Sequence, residues 1–99
     1  MLVIRGVNVF PSQVEELILD RPGLAPHYEI EVSRPLRLDE MVVIVEARPE
    51  LAAAAHRDEA RALAHKLKSL VGISAEVRVV ASGSLQRSSG KALRVIDRR

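Results

Sequence analysis

Apolar and polar residues alternate in two stretches of the chain and recur at helical spacing in two others. Tyr28, Ile30 and Val32 alternate with Glu29 and Glu31, the period-two signature of a half-buried strand. Glu76 to Val80 alternates in the same way. Met41 to Ala47 is apolar at both parities except at Glu46, which predicts a central strand covered on both faces. Met1 to Ile4 is a short apolar strand with no lead-in, so the chain reads as a piece of something longer.

Gly6 and Asn8 tolerate positive φ and place a tight turn or bulged hairpin after the first strand. Ser12-Gln13-Val14-Glu15 has the spacing of a capping box, with Ser12 as the cap and Glu15 reaching back. Val14, Leu17 and Ile18 form one apolar stripe on the helix it opens, and Arg21-Pro22-Gly23 ends it. A second helix lies within Pro49 to Val71. Leu63, Leu67 and Leu70 mark its buried face, Gly72 follows as its terminating glycine, and Ala52 to Ala55 form its first turns or a separate short turn. Ala81 to Gly90 is a serine- and glycine-rich loop, and Lys91 to Ile96 is a short extended exit. The order β-α-β-β-α-β predicts an α+β fold over residues 1–99: a ferredoxin-like sandwich, an antiparallel sheet with two helices on one face.

Composition narrows the chemistry. Phe10 and Tyr28 are the only aromatics, so the core is aliphatic, and an RNA-binding sheet with stacking aromatics is disfavoured. The chain has no cysteine, which excludes disulfides, thiolate metal sites and a cysteine nucleophile. No apolar run is long enough for a membrane span and no signal-peptide layout is present, so cytoplasm is the default expectation. A net charge of +2 defines no partner. Arg87, Lys91, Arg94, Arg98 and Arg99 make the C-terminal segment basic. It reads as a solvated, mobile terminus, with contact to phosphate or nucleic acid as the alternative.

Two segments carry a resemblance. Leu2-Val3-Ile4-Arg5-Gly6-Val7-Asn8-Val9-Phe10-Pro11-Ser12-Gln13-Val14-Glu15 resembles the stretch just after the hinge in phenylacetate–CoA ligases, a branch of the acyl-adenylate-forming superfamily. Gly83-Ser84-Leu85-Gln86-Arg87-Ser88-Ser89-Gly90-Lys91-Ala92-Leu93-Arg94-Val95-Ile96-Asp97 is similar to that superfamily's closing motif, a loop ending in Gly-Lys. Leu24-Ala25-Pro26-His27-Tyr28 also fits the branch. Gln86 stands where the motif usually has proline, a residue that would have stiffened the loop. By this resemblance the chain is the C-terminal lid domain of such a ligase, whose large N-terminal domain is its partner and is absent here.

The resemblance implies two half-reactions. A carboxylate attacks the α-phosphate of ATP, and the CoA thiol then attacks the acyl-adenylate after the domain has swung. Lys91 is implied as the catalytic cation of the first half, with Gly90 allowing close backbone approach. Arg5 and Gly6 are implied to line the CoA tunnel in the second, where a glycine lets the pantetheine chain pass. The aryl acid, most of the ATP and the Mg2+ would be held by the missing domain, and the fragment alone would bind none of them well and catalyse nothing. Phenylacetate is the family default for the acid.

The remaining polar groups read as surface. His27, His56 and His65 have no metal-ligand spacing, Asp58-Glu59-Arg61 is a solvated helix face, and Glu15-Glu16 suit a first helical turn. The competing function is a ferredoxin-like small-ligand regulatory or binding module, which would dimerise through its sheet or helices. Neither nucleic acid nor membrane is expected as a partner.

Overall fold

The fold begins with a β-hairpin, because Arg5 and Gly6 both adopt left-handed backbone (φ 49 and 79). This turn joins β1 (Leu2–Ile4) to β2 (Val7–Val9) in an antiparallel pair that closes at Ile4↔Val7. Such turns match the natural twist of a two-stranded ribbon. Ile4 and Val9 point one way and are fully buried, so the ribbon is a flap on the core. The computed structural model describes residues 1–85 and 95–99.

Helix α1 (Pro11–Leu19) starts two residues earlier than the capping-box reading requires. Pro11 occupies its first turn with φ already set for a helix, and Phe10 is the residue before it. The reciprocal bonds run between Phe10 and Gln13: the Gln13 amide donates to the Phe10 carbonyl at 2.9 Å, and the Phe10 amide donates to Gln13 Oε1 at 3.0 Å. The expected Ser12–Glu15 box is thereby replaced, since Ser12 lies inside the helix. Val14 and Ile18 bury its inner face.

β3 (Leu24–Ser33) and β4 (Glu40–Ala47) form the long antiparallel ladder at the centre, with Tyr28↔Val45, Ile30↔Val43 and Val32↔Met41 paired. The register shifts between Leu24 and Tyr28, where Pro26 has no amide to give the ladder. β5 (Glu76–Val80) lies parallel to β4 and β6 (Val95–Asp97) parallel to β3, so the sheet order is β5-β4-β3-β6. The α+β class and the two helices agree with the sequence reading. The sheet is mixed rather than antiparallel, however, and the first predicted strand is not part of it. The β1–β2 ribbon takes up that segment instead.

A short 3-10 turn (Ala53–Ala55) precedes α2 (His56–Lys66), and a wider π-type turn (Leu67–Val71) ends it at Gly72, whose φ is 85. The Gly72 amide donates to the Leu67 carbonyl at 3.0 Å. The wider turn carries Leu70 away from the core. Leu63 and Leu67 are buried as expected, but Leu70 is 66% exposed. Both helices touch each other and pack on the face of the sheet that carries Tyr28, Ile30, Val32, Met41, Val43 and Val45, making a single core. Arg21 and Glu59 join the end of α1 to α2 through two bonds, the shorter 2.6 Å.

The opposite face of the sheet corrects another expectation. Val42 and Ile44 are only half-buried there, so β4 is central in the sheet yet, among the described residues, covered by helices on one face alone. Among the described residues no helix is long and apolar enough to cross a membrane.

This packing makes a stability prediction. Ile30 is fully buried on the paired ladder, so Ile30→Ala should cost about 3 kcal/mol through lost burial and the cavity left behind. Leu36, 96% exposed at the β3–β4 turn, should tolerate Leu36→Ala within ~0.5 kcal/mol. Guanidinium denaturation of the two variants checks both. Equal losses would show that the ladder does not organise the core.

Candidate functional site

Arg5 sits at the tip of the β1–β2 ribbon, and its guanidinium donates to the Ser74 carbonyl in the link between α2 and β5. Gly6 beside it points into open space: a Cβ built there meets nothing within 4 Å. Only the positive φ requires glycine at this position, because among the described residues nothing packs against it. Lys91 and Gly90 lie outside the described residues, as does Gln86.

Arg5 faces a cavity of about 410 Å³ lined also by Arg34, Arg37, Leu38 and Asp39. Arg34, Arg37, Leu38 and Asp39 come from the β3–β4 turn, which the sequence reading treated only as a change of direction. Arg34 Nε donates to Asp39 Oδ1 at 2.6 Å. Arg99 reaches the same carboxylate from the C-terminus, with Nη1 3.1 Å from Asp39 Oδ2, and donates to the Val3 carbonyl at 2.8 Å. It also forks onto Asp97 through Nε (3.0 Å) and Nη2 (2.9 Å). The Arg98 amide donates to the Val32 carbonyl at 2.7 Å. The end of the chain is therefore bound in place, and the expectation of a mobile tail does not hold for residues 95–99. Arg99 staples ribbon, turn and β6 together.

These contacts set the local electrostatics. The Arg99 side chain, followed by the Arg99 backbone amide, holds the Asp97 carboxyl down at about 2. Hydrogen bonding to Arg34, and then to Arg99, also lowers Asp39 against an opposing desolvation. A guanidinium-lined hollow at the edge of a sheet suits phosphate or carboxylate oxygens, which arginine grips in pairs. Arg37 supplies an exposed cation at its rim.

On the open face of the sheet, Glu46 is completely buried. Its Oε1 accepts from the Gly83 amide and its Oε2 from the Leu85 amide, both at 2.9 Å. The sequence marked Glu46 as the one acid in an apolar strand but gave no sign of what it meets. Among the described residues no three histidine or acidic side chains come together to hold a metal ion.

Comparison with known proteins bears on the whole chain. Residues 6–99 match the AMP-binding enzyme C-terminal domain family. The phenylacetate-coenzyme A ligase of Escherichia coli (strain K12) is 48% identical over 102 residues, which take in all of this chain and 23% of that protein. The chain spans about a quarter of the length of the curated relatives it matches. The crystal structure of a domain of phenylacetate-coenzyme A ligase from Bacteroides vulgatus ATCC 8482 superposes with a TM-score of 0.90 at 31% identity, covering all of this chain and 92% of that one. A 2-hydroxyisobutyryl-CoA ligase, solved with 2-HIB-AMP and CoA in the thioesterification state, matches at TM-score 0.88 and 31% identity, over 98% of this chain and 21% of that one.

The carboxylate–guanidinium cluster predicts an acid limit. Both carboxyls titrate lower when folded, so their stabilisation is present above the ordinary carboxylate range near pH ~4 and is lost on acidification, for Asp97 as pH falls through about 2. Arg99→Ala should return the Asp97 titration, followed by carboxyl NMR, to the ordinary range near ~3.9. An Asp97 midpoint that stays at about 2 would assign the depression to another group.

Proposed function

The chain belongs to the AMP-binding enzyme C-terminal domain family, and from that premise we propose that it is the C-terminal domain of a phenylacetate–CoA ligase. The observation that carries this reading is the agreement of sequence and fold over the entire chain with domains of such ligases. The whole enzyme then joins an aryl acid to CoA at the expense of ATP. The acid's carboxylate oxygen attacks the α-phosphorus, the bond to pyrophosphate breaks, and an acyl-adenylate forms. The CoA sulfur then attacks the acyl carbon, AMP leaves with the bonding electrons, and a thioester results.

This chain contributes cations and a path to those steps. In the proposal, the Lys91 ammonium offsets the charge that builds on the α-phosphate oxygens and departing pyrophosphate. Support for this role is the Gly90-Lys91 pair, which ends a motif similar to the superfamily's own. Arg5 and Gly6 serve the thioester step: the exposed left-handed turn leaves room for the pantetheine arm, and Arg5 with Arg34 and Arg37 offers charge to CoA phosphates. Mg2+ accompanying the nucleotide would take its protein ligands from the N-terminal domain. That domain is the proposed partner, it also holds the acid, and the isolated chain is expected to be silent. The proposed cytoplasmic location rests on the ATP and CoA substrates, not on the fold.

The test uses the Escherichia coli relative with its matching segment exchanged for this chain. Lys91→Ala should slow acid-dependent ATP–pyrophosphate exchange by about two to three decades, the worth of one electrostatic group at roughly 3–4 kcal/mol. CoA transfer from preformed acyl-adenylate should change by less than ~3-fold, since the domain has turned away from the phosphate by then. Gly6→Trp should show the reverse pattern. Gly6→Ala, which carries the same positive-φ penalty without the bulk, should spare both steps. Equal losses in both half-reactions for Lys91→Ala would defeat the assignment.

A further inference from the structure

We infer that Glu46 is a positioning residue for the adenylation step: its buried carboxylate grips the backbone at Gly83 and Leu85 and so fixes where the segment bearing Lys91 leaves the sheet. The inference rests on the proposed ligase function. Its own observation is the pair of 2.9 Å bonds, one to each carboxylate oxygen.

A side chain with no exposed surface would ordinarily be apolar here. Glu46 stands near the end of β4 opposite Val80, the last residue of β5, and its neighbours on that face are Val42 and Ile44. Replacing a buried ion by a well-packed apolar group is often neutral or stabilising, so stability alone gives little reason for a carboxylate. What a carboxylate adds is selection of one backbone arrangement. It is satisfied by two amides that converge on it, and here these belong to alternate residues, Gly83 and Leu85. The turn that presents them needs Gly83 at φ 84, and the Ser84 amide closes it on the Ala81 carbonyl at 3.1 Å.

The consequence is a shorter tether. On its C-terminal side Lys91 stands four residues, roughly 14 Å extended, before Val95 of β6, which is paired with Ile30; on its N-terminal side it is eleven residues, roughly 38 Å, from Val80 but six, roughly 21 Å, from Leu85. Holding the chain at Leu85 thus restricts both the origin and the direction from which the lysine can approach a phosphate. Gln at position 46 keeps the shape and one good acceptor, but turns an NH2 group towards a backbone N–H.

In the exchanged enzyme, Glu46→Gln should lower pyrophosphate exchange by about tenfold through kcat, with KM for the acid unchanged. CoA transfer from preformed adenylate should stay within twofold. Because Glu46 acts through Lys91, adding Glu46→Gln to Lys91→Ala should cost less than a further twofold. Multiplicative losses in that double variant, or equal losses in both half-reactions, would overturn the inference. A second measurement does not depend on the variant folding. In the isolated wild-type chain, whose relative from Bacteroides vulgatus was solved as a domain, the Gly83 and Leu85 amides should be protected from hydrogen exchange. Exchange at the rate of an unstructured peptide would show that no grip exists. Lys91→Ala leaving pyrophosphate exchange intact would instead overturn the function on which the inference rests.

Discussion

The antiparallel ladder between β3 and β4 is the constraint from which the rest follows. Its register puts Tyr28, Ile30 and Val32 beside Val45, Val43 and Met41 on one face. A slip of one residue would send that whole set to the other side and bring Glu29, Glu31, Val42 and Ile44 inward. Both outer strands are parallel additions to this pair, and a parallel addition requires a crossover. For β5 that crossover is α2, which comes to rest beside α1 on the same apolar face. One ladder thereby decides which face becomes core and which stays open.

Openness on the second face explains the placement of chemistry. A carboxylate could not be buried among Ile30, Val43 and Leu67 without leaving its oxygens unpaired, a cost of several kcal/mol. On the open face, the segment after β5 can fold back and supply amides, so Glu46 is buried and bonded at once. The sheet edge shows the same logic. Arg34 stays largely in solvent while Arg99 is mostly covered, and among the described residues Arg5, Arg34 and Arg99 reach carbonyls and Asp39 or Asp97.

Legibility in the sequence followed the range of the interaction. The alternation of Tyr28, Ile30 and Val32, the limits of β5 and the left-handed Gly72 depend on neighbours in sequence, and all were readable. The first helix was readable too, but its cap was misassigned: Pro11 fixes the start of the helix, which hands the reciprocal bond to Gln13 and not Glu15. Leu70 was misread because helical periodicity cannot anticipate one wider turn. Pairing was the deeper gap. Nothing in Leu2–Ile4 says whether it joins the main sheet or makes its own ribbon, since that depends on residues far along the chain. The candidate site divides in the same way. Arg5 and Gly6 stood out through a local turn and a motif, whereas Arg99 meets Asp39 across 60 positions and Glu46 meets Gly83 across 37, with no local signal.

Magnitudes also show what holds the β3–β4 turn. Leu36 and Arg37 both lie in left-handed backbone, at φ 51 and 68, which costs non-glycine residues roughly 1–2 kcal/mol each. Leu36 is almost wholly exposed and recovers nothing by packing. The Arg34–Asp39 pair spans the turn, but with Arg34 largely in solvent a pair of this kind contributes little. Ion pairing therefore cannot offset the strain, and the strain must be carried by the ladder, whose last rung Ser33↔Glu40 fixes both ends of the connection. The guanidinium groups then act on what the ladder leaves undecided. Arg34 and Arg99, bonded to the two oxygens of Asp39, select the one geometry of the turn that brings Arg37 to the cavity rim facing Arg5.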